Sequence, residues 1–436
     1  MVAVRGPSGE GSQLERIDPE IGIAPGDSVA LLLTGPGCEV LSLDVAGLRA
    51  AQPGALSREA GRGSGFRIVS DVPVVAHQVN PFLGAQSFIT GASLLFPTPT
   101  WGDNYVALAP ALSLAVPPDL GGSYDPTLNL VAAENGTEVT VLATAALDGG
   151  GDLPTLSVDQ PITFELDAGE HAQFMGSDDF TGTIVQASGP LGVWVGHECA
   201  FFPEEVAACD HLEQMLPSVR NLPSQYVGAG VKRASEAVAW RVFAAVDGTE
   251  LSWSTDVGGP TSLDRGDSAY VVTGTPFVVS SQDDEHPFYL FNYMTGQSAI
   301  DVDEGTHGGD PDFVLAPPPQ QFLDRYTFFV DPTYTTQLVV VRGQSGAGSD
   351  GSAGGFSDVE LRCSGQEPTQ VSGWRDVVGG SYQYARVSTS CAGQMQADSA
   401  APFGIHVWGI YEYASVGYPA GLGLRELNGL DVPPVP

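Results

Sequence analysis

Two stretches of the chain, LNLVAAENGTEVTVLAT at residues 128–144 and WRVFAAVDGTELSWST at residues 240–255, follow one pattern. In each, an apolar run leads to a two-residue turn signal, Asn135-Gly136 or Asp247-Gly248, and an alternating run follows. Asn-Gly and Asp-Gly favour turns in which both central residues have positive φ, and such turns commonly join two antiparallel strands. The pattern therefore predicts a β-hairpin at both places.

Two weaker copies of this pattern occur elsewhere. SVALLLTGPGCEVLSLDV covers residues 28–45, and QLVVVRGQSG begins at residue 337, with DVELRC following after a Gly/Ser-rich insertion. The four copies begin at residues 28, 128, 240 and 337, so each has room for about six or seven short strands. This period is too long for a propeller blade and indicates a series of small β units.

Three further elements recur after each copy. The second element is a Gly- or Asp-rich turn before an alternating strand, as in ELDAGEHAQFMG at residues 165–176. The third opens with a proline (Pro73, Pro190, Pro287 or Pro402), and its nearly continuous apolar run predicts a central strand buried on both faces. The fourth is a connector to the next copy, with an apolar stretch and a proline-bearing turn. It follows the first three copies, and the sequence predicts that no such connector follows the fourth.

These elements predict an all-β fold of four related β-sandwich-like repeats of about 100 residues, in tandem or closed into a ring, with very little helix. One helical turn is predicted, at HLEQML (residues 211–216). The predicted divisions are an N-terminal arm at 1–27, three repeats with connectors at 28–127, 128–239 and 240–336, a fourth repeat at 337–424 and a C-terminal tail at 425–436.

The charge of the chain excludes two classes of partner. The chain has 17 Lys and Arg against 52 Asp and Glu, a formal net charge of −35 at pH 7. Such a surface repels the phosphates of nucleic acids and of anionic lipids. No apolar run is long enough to span a bilayer, and the first residues lack the apolar core of a signal peptide. We therefore expect no nucleic-acid partner and no direct membrane insertion.

The five cysteines bear on the cellular compartment. Cys199 and Cys209 flank one short loop, Cys363 and Cys391 lie within one C-terminal segment, and Cys38 is left over. Because no C-x-x-C motif occurs, two disulfides, Cys199–Cys209 and Cys363–Cys391, explain this spacing better than a metal site does. Four buried free thiols are the alternative. Disulfides would favour an oxidising, extracytoplasmic location.

Several stretches of the chain together carry a family resemblance. They are PVVAHQVNPF with ASLLFPTPTWGDNYV, GHECAFFP with CDHLEQMLPS, and GDPDFVLAPPPQQFLDRYTF. In these stretches the chain resembles the IgGFc-binding protein N-terminal domain family, in the form found in surface proteins of myxobacteria and related bacteria. The resemblance covers roughly residues 50–424 and implies an extracellular or cell-surface module that binds or adheres and is not an enzyme. The glycine-rich N-terminal part and the insertion at residues 343–355 depart from it.

The densest polar cluster of the sequence suggests a metal site. His197, Asp210 and His211 lie beside the cysteine pair Cys199 and Cys209, and imidazole and carboxylate groups suit zinc. The alternative is a disulfide-closed loop in which these side chains hydrogen-bond to backbone groups of an irregular turn.

An acidic stretch between residues 301 and 312 suggests calcium. Asp301, Asp303, Asp310 and Asp312 supply the hard oxygen ligands that calcium prefers, although their spacing is not that of an EF-hand. The alternative is a solvated acidic loop, which is ordinary in so acidic a chain. No other cofactor is suggested.

The function that these features favour is an extracellular or cell-surface binding, adhesion or structural module, without catalytic activity. Its expected partners are a protein or a glycan at the cell surface, or further copies of itself. The alternative is an extracellular metal-dependent hydrolase or lectin that uses the loop of His197, Asp210 and His211. Common enzyme motifs, such as G-x-S-x-G, H-E-x-x-H and the P-loop, are absent from the sequence.

Overall fold

The structure is a computed structural model, and it describes most of the chain. The described residues are 59–80, 84–115, 123–204, 206, 208–233, 238–300, 308–345 and 355–433, together with the backbone of three short strands nearer the N-terminus. In this part the chain forms β-strands and short 3-10 helices and no α-helix, so the predicted all-β fold is confirmed. None of these helices is both long and apolar enough to span a membrane. The 3-10 helices are Gly84–Ser87, Thr98–Thr100, Val219–Asn221, Gln297–Ala299 and Pro319–Gln321.

The N-terminal strands lie in three different sheets. They are β1 (Ala3–Arg5), β2 (Glu15–Arg16), β3 (Val29–Leu31), β4 (Gly61–Ser64), β5 (Ala76–Asn80) and β6 (Gly91–Leu95). β1 pairs with β2 and β3, and β5 pairs with β6. β4 instead pairs antiparallel with a strand of the second unit. The glycine-rich segment of the first repeat therefore extends the sheet of its neighbour.

The second unit is a β-sandwich. Its strands are β7 (Asn104–Ala107), β8 (Leu114–Ala115), β9 (Ser123–Tyr124), β10 (Pro126–Ala132), β11 (Thr137–Leu142), β12 (Ile162–Leu166), β13 (Glu170–Met175), β14 (Thr183–Ala187), β15 (Leu191–Ala200) and β16 (Asp210–Leu216). One sheet has the order β16-β15-β10-β13-β4, the other β12-β11-β14-β7, and β8 and β9 form a separate pair. Buried side chains such as Leu128, Val139, Phe174 and Val193 fill the core between the two larger sheets. β7, from the predicted connector of the first repeat, belongs to this sandwich because it pairs with β14.

The third unit is a second sandwich with the same arrangement. Its strands are β17 (Gln225–Gly228), β18 (Val238–Ala244), β19 (Thr249–Trp253), β20 (Ser262–Leu263), β21 (Ser268–Thr273), β22 (Phe277–Ser281), β23 (Phe288–Met294) and β24 (Asp312–Leu315). The two sheets have the orders β17-β22-β19-β20 and β21-β18-β23-β24. Trp240 and Phe277 meet edge to face in its core, with ring centroids 5.5 Å apart.

The fourth unit is one continuous sheet. Its strands are β25 (Leu323–Val330), β26 (Thr335–Gly343), β27 (Val359–Cys363), β28 (Thr369–Gln370), β29 (Arg375–Asp376), β30 (Tyr382–Thr389), β31 (Gly393–Tyr411) and β32 (Ala414–Pro419). The first part of β31 pairs with β25 and β27, and the second part pairs with β26 and β32. Pro402 lies inside β31, where its missing N–H falls between two sets of pairing partners. The prediction that it opens a strand is therefore wrong, whereas β15 and β23 begin directly after Pro190 and Pro287.

The Asn-Gly and Asp-Gly turns join strands of opposite sheets, so the hairpin prediction is wrong. β10 pairs with β13 and β15, whereas β11 pairs with β12 and β14, and β18 and β19 are separated in the same way. An aspartate side chain from a later loop accepts a hydrogen bond from the glycine of each turn. Gly136 N–H donates to Asp167 Oδ1 (3.0 Å), and Gly248 N–H donates to Asp264 Oδ1 (2.9 Å). Both glycines have φ of +66°, but Asn135 and Asp247 do not have positive φ. A turn was therefore predicted correctly at each place, whereas its type and the strand pairing were not.

In three of the four units a buried tyrosine near the start of the unit hydrogen-bonds to the backbone of the proline-led strand. The Tyr105 hydroxyl donates to the Leu191 carbonyl (2.5 Å), and the Tyr326 hydroxyl donates to the Phe403 carbonyl. Tyr226 makes the corresponding bond to the backbone of β23. Burial raises the pKa of all three hydroxyls, so they remain protonated donors. The three units therefore share this internal link as well as their strand order.

One strand from each repeat lies at the centre of the molecule. β6 packs against β16, β16 against β24, β24 against β32, and β32 against β6, which closes a ring. Of the two predicted arrangements, the ring is therefore confirmed. β32 occupies the place of the connector that was predicted to be missing after the fourth copy, so that prediction is wrong. HLEQML is part of β16 and not a helical turn, because pairing with β15 and burial at the centre outweigh its local helix propensity.

Candidate functional site

The densest polar cluster of the sequence lies where β15 and β16 meet near the ring centre. A bulge between His197 and Ala200 interrupts their pairing, and the Cys199–Cys209 disulfide closes the loop, with Cα atoms 5.1 Å apart. The second predicted disulfide, Cys363–Cys391, is present in the fourth unit with Cα atoms 5.5 Å apart. Both disulfide predictions are confirmed, and Cys38 lies outside the described residues.

The backbone holds His197 in a single tautomer. Its Nδ1 lies 3.1 Å from the N–H of Cys199, which only donates, so Nδ1 is the acceptor. Its Nε2 lies 3.0 Å from the Leu112 carbonyl oxygen and therefore carries the proton. Burial lowers the pKa of His197 to about 4. Neither ring nitrogen has a lone pair left for a metal, so His197 does not fit the zinc hypothesis.

His211 contacts the first unit. Its Nε2 lies 3.3 Å from Asn80 Nδ2 and 3.4 Å from Glu213 Oε2. The same Glu213 oxygen accepts a hydrogen bond of 2.7 Å from Gln78 Nε2. These side chains join β16 to β5, and the described residues contain no group of three His, Cys, Asp or Glu side chains placed to hold a metal ion. The loop is therefore a hydrogen-bonded junction between units. Of the two histidines, only His197 hydrogen-bonds to backbone groups, as the alternative to the zinc hypothesis described, whereas His211 contacts side chains.

Three aspartates from two separate sequence motifs come together beside this loop. Asp210 begins β16, Asp312 begins β24, and Asp310 lies just before it; their exposed fractions are 0%, 1% and 0%. Burial, reinforced by the neighbouring Asp312 and Asp310 charges, raises the pKa of Asp210 well above its usual range. Burial also raises the pKa of Asp312 well above its usual range and that of Asp310 to about 6.

The surroundings of these carboxyl groups are mainly backbone. Oδ1 of Asp210 and Oδ1 of Asp312 each accept the N–H of the following residue, at 2.9 Å and 2.7 Å. The N–H groups of Ser415 and Gly417, in β32, also face Asp210 and Asp312. Oδ2 of all three aspartates is buried without a well-formed hydrogen bond. Three units therefore contribute to one acidic centre, and burial favours the protonated, neutral form of its carboxyl groups.

The predicted calcium ligands divide into two groups. Asp301 and Asp303 lie outside the described residues. Asp310 and Asp312 are buried at the ring centre, so for these two the alternative of a solvated loop is wrong. Calcium binding by the four aspartates stays a prediction.

If calcium binds there, millimolar calcium should raise the unfolding temperature by a few degrees relative to EGTA, because a ligand bound only to the folded state stabilises it. Differential scanning fluorimetry measures this, with magnesium as the control ion, and Asp312→Asn should remove the effect. Equal unfolding temperatures in calcium and EGTA would contradict the prediction.

The described surface also has a strand edge with no partner. In the second unit β4 pairs with the outer edge of β13, and in the fourth unit β29 pairs with β30. The corresponding strand of the third unit, β21, pairs only with β18 in the described part of the chain. Tyr270 and Val272 on this strand are 46% and 64% exposed. The sequence analysis missed this edge, since only the three-dimensional strand order reveals it.

The hydrogen-bond ladder shows which groups face outward from β21. Ala244 N–H donates to the Asp267 carbonyl at 3.2 Å, while Ala245 N–H donates to Pro287 on the opposite side of β18. Along an antiparallel pair, successive residues of a strand direct their N–H groups alternately toward one neighbouring strand and toward the other. The N–H groups of Ala269 and Val271 therefore face β18, and those of Tyr270 and Val272 point to the open edge. Residues 268–273 contain no charged residue and no proline, which are the usual protection of an edge strand. The edge is therefore able to accept a further strand.

Comparison with known proteins relates the chain to one family. The family model described as IgGFc binding protein matches residues 91–409, well over half of the chain. No curated protein matches. Among solved structures there is a similarity to the viral chemokine binding protein R17 encoded by rodent gammaherpesvirus Peru, with 10% sequence identity, coverage of 77% of this chain and 89% of that one, and a TM-score of 0.17. A likeness this weak supports no conclusion, so the assignment rests on the family match: the chain belongs to the IgGFc-binding protein family.

Proposed function

We propose that the protein is an extracellular, non-catalytic binding or adhesion module whose partner is another protein at the cell surface. The observation that carries the proposal is the family match over residues 91–409, since this is a family of binding domains. Two disulfides agree with an oxidising, extracellular location. The immunoglobulin in the family name is not transferred to this chain.

The open edge of β21 is the proposed binding surface. A partner segment in extended conformation would add to it as a further strand, with its backbone accepting from the N–H groups of Tyr270 and Val272. The chain already uses this mode of association, because β4 adds to the equivalent strand β13 in the second unit. The apolar side chains of the edge would supply contact area in addition to the backbone hydrogen bonds.

The alternative functions have less support. A metal-dependent hydrolase or lectin would need His197 as a ligand, and both its ring nitrogens are engaged by backbone groups. Self-assembly would use the same edge as a protein partner, with another copy supplying the strand. A glycan would not need an unpaired strand edge.

Val272→Pro tests the proposed surface. Proline removes an N–H that faces the open edge and leaves the ladder to β18 intact, so folding should be preserved while strand addition is blocked. We expect binding to weaken by at least about tenfold when the purified protein is measured by biolayer interferometry against a panel of extracellular proteins and glycans that includes immunoglobulin Fc. Sedimentation velocity of the protein alone reports self-association.

Val378→Pro is the matched control. Val378 is exposed in the turn before Gly379 and Gly380, where a proline suits the first central position. This variant should bind like the unaltered protein. Binding only to glycans, binding of no protein in the panel, or equal loss of binding in both variants would contradict the proposal. Turnover of a glycoside or peptide substrate by the purified protein would contradict its non-catalytic part.

A further inference from the structure

The first unit leaves an extensive apolar surface exposed. Val69, Val72 and Val74 are 77%, 41% and 59% exposed. The other exposed apolar residues of this surface are Phe66, Ile68, Val75, Val79, Phe88 and Ile89. The corresponding proline-led strands β15 and β23 of the second and third units are largely or wholly buried. The exposed apolar side chains around β5 therefore indicate a surface that another segment covers.

The other three units show which kind of strand belongs beside a proline-led strand. Their sheets contain the orders β16-β15-β10-β13, β24-β23-β18-β21 and β32-β31-β26-β30. In each, the proline-led strand lies between the strand of the central ring and the first strand of the repeat. That first strand is always antiparallel to the proline-led strand.

The strands of the first unit form two separate sheets, and each contains part of the strand order found in the other units. β6 pairs with β5, and in the described part of the chain β5 has no partner on its other edge. β3 is the first strand of its repeat, and among the residues that the structure describes it pairs only with β1. In the described part of the chain β3 and β5 therefore each have an edge without a partner, and their counterparts are paired with each other in all three other units.

We propose that β3 docks antiparallel on the free edge of β5 and completes the first unit as one sheet in the order β2-β1-β3-β5-β6. In this order β3, β5 and β6 correspond to β10, β15 and β16 of the second unit, while β1 and β2 take the places of β13 and β4 although they precede β3 in the chain. The occupant is a segment of the same chain, because residues 32–75 join the two strands and keep the effective concentration of β3 near β5 high. The docking site is separate from the open edge of β21.

The other units also fix the register of this pairing. The third residue after the proline lies opposite the sixth residue before the turn glycine, as in Val193 with Leu130 and Leu290 with Val242. Applied to the first repeat, with Pro73 and Gly37, this rule places Ala76 opposite Leu31. A shift of one residue would turn the side chains of β3 to the other face of the sheet.

A cysteine pair tests both the docking and the register. Leu31→Cys with Ala76→Cys, in a Cys38→Ser background, should form a disulfide within one chain on mild oxidation, because residues directly opposite in a sheet lie within disulfide distance. Non-reducing electrophoresis and peptide mass spectrometry detect the bond. Hydrogen exchange gives a second readout, in which Leu31→Asp should speed exchange of the amides of β5 by at least about tenfold.

Ala30→Cys with Ala76→Cys is the register control, since Ala30 would face the opposite side of the sheet. It should cross-link at least about tenfold more slowly than the Leu31 pair. Equal rates for the two pairs, or no cross-link together with unchanged hydrogen exchange, would overturn the proposal. A cross-link between two chains would also overturn it, because the strand would then come from a second copy.

Discussion

Asp210→Asn should stabilise the protein by at least about 1 kcal/mol at pH 8, because it removes an unpaired buried charge, and leave its stability nearly unchanged at pH 4. Burial and two neighbouring carboxyls raise the pKa of Asp210 in the folded state. A carboxyl with a raised pKa contributes its full stability below its unfolded pKa and loses that contribution as the pH rises through the folded pKa. The asparagine side chain stays neutral, so its advantage should grow with pH. Urea unfolding in EGTA, from pH 4 to pH 8, measures the difference.

Asp178→Asn separates this effect from the general repulsion in a chain of net charge −35. Asp178 is exposed, and its replacement removes the same charge without touching the buried aspartates. We expect its effect on the free energy of unfolding to stay within about 0.5 kcal/mol across the pH range. A flat difference between Asp210→Asn and the unaltered protein, or an equal gain from Asp178→Asn, would show that the acidic centre does not control the pH dependence.

The fold class was predictable because its signals are local. The run after Pro190 is apolar at nearly every residue, and the strand that it forms, β15, lies between β10 and β16. The run after Pro287 forms β23 for the same reason, between β18 and β24. The fourfold recurrence of these runs was sufficient to predict repeated β units, and four central strands made a ring possible.

The strand pairing and the acidic centre were not predictable, because both depend on residues far apart in the chain. Asn135-Gly136 predicts a tight turn wherever it occurs, but Asp167 and the strands of both sheets decide that this turn crosses the sandwich. Asp210 and Asp312 lie about 100 residues apart in the sequence, so the first was assigned to the zinc hypothesis and the second to the calcium hypothesis. Only the closed ring brings them together, and no local pattern records that proximity.

Removal of the Cys363–Cys391 disulfide should destabilise the protein by about 3.5 kcal/mol, and removal of Cys199–Cys209 by about 3 kcal/mol. The first bond joins residues separated by 28 positions and the second by 10, so the first restricts the unfolded chain more. The variants are the paired Cys→Ala replacements, measured by urea unfolding at fixed pH. A larger loss from the shorter loop would contradict this chain-entropy argument.

The same variants show whether the ring unfolds as one body. Cys363 ends β27, which pairs with β31, and β31 pairs with the central strand β32. If the four central strands form a cooperative core, loss of the Cys363–Cys391 bond should speed hydrogen exchange in β16 and β24 as well as in β27. If faster exchange stays within the fourth unit, the units unfold separately. In that case the ring would be an arrangement of independent domains, and Asp210→Asn would stabilise only the second of them.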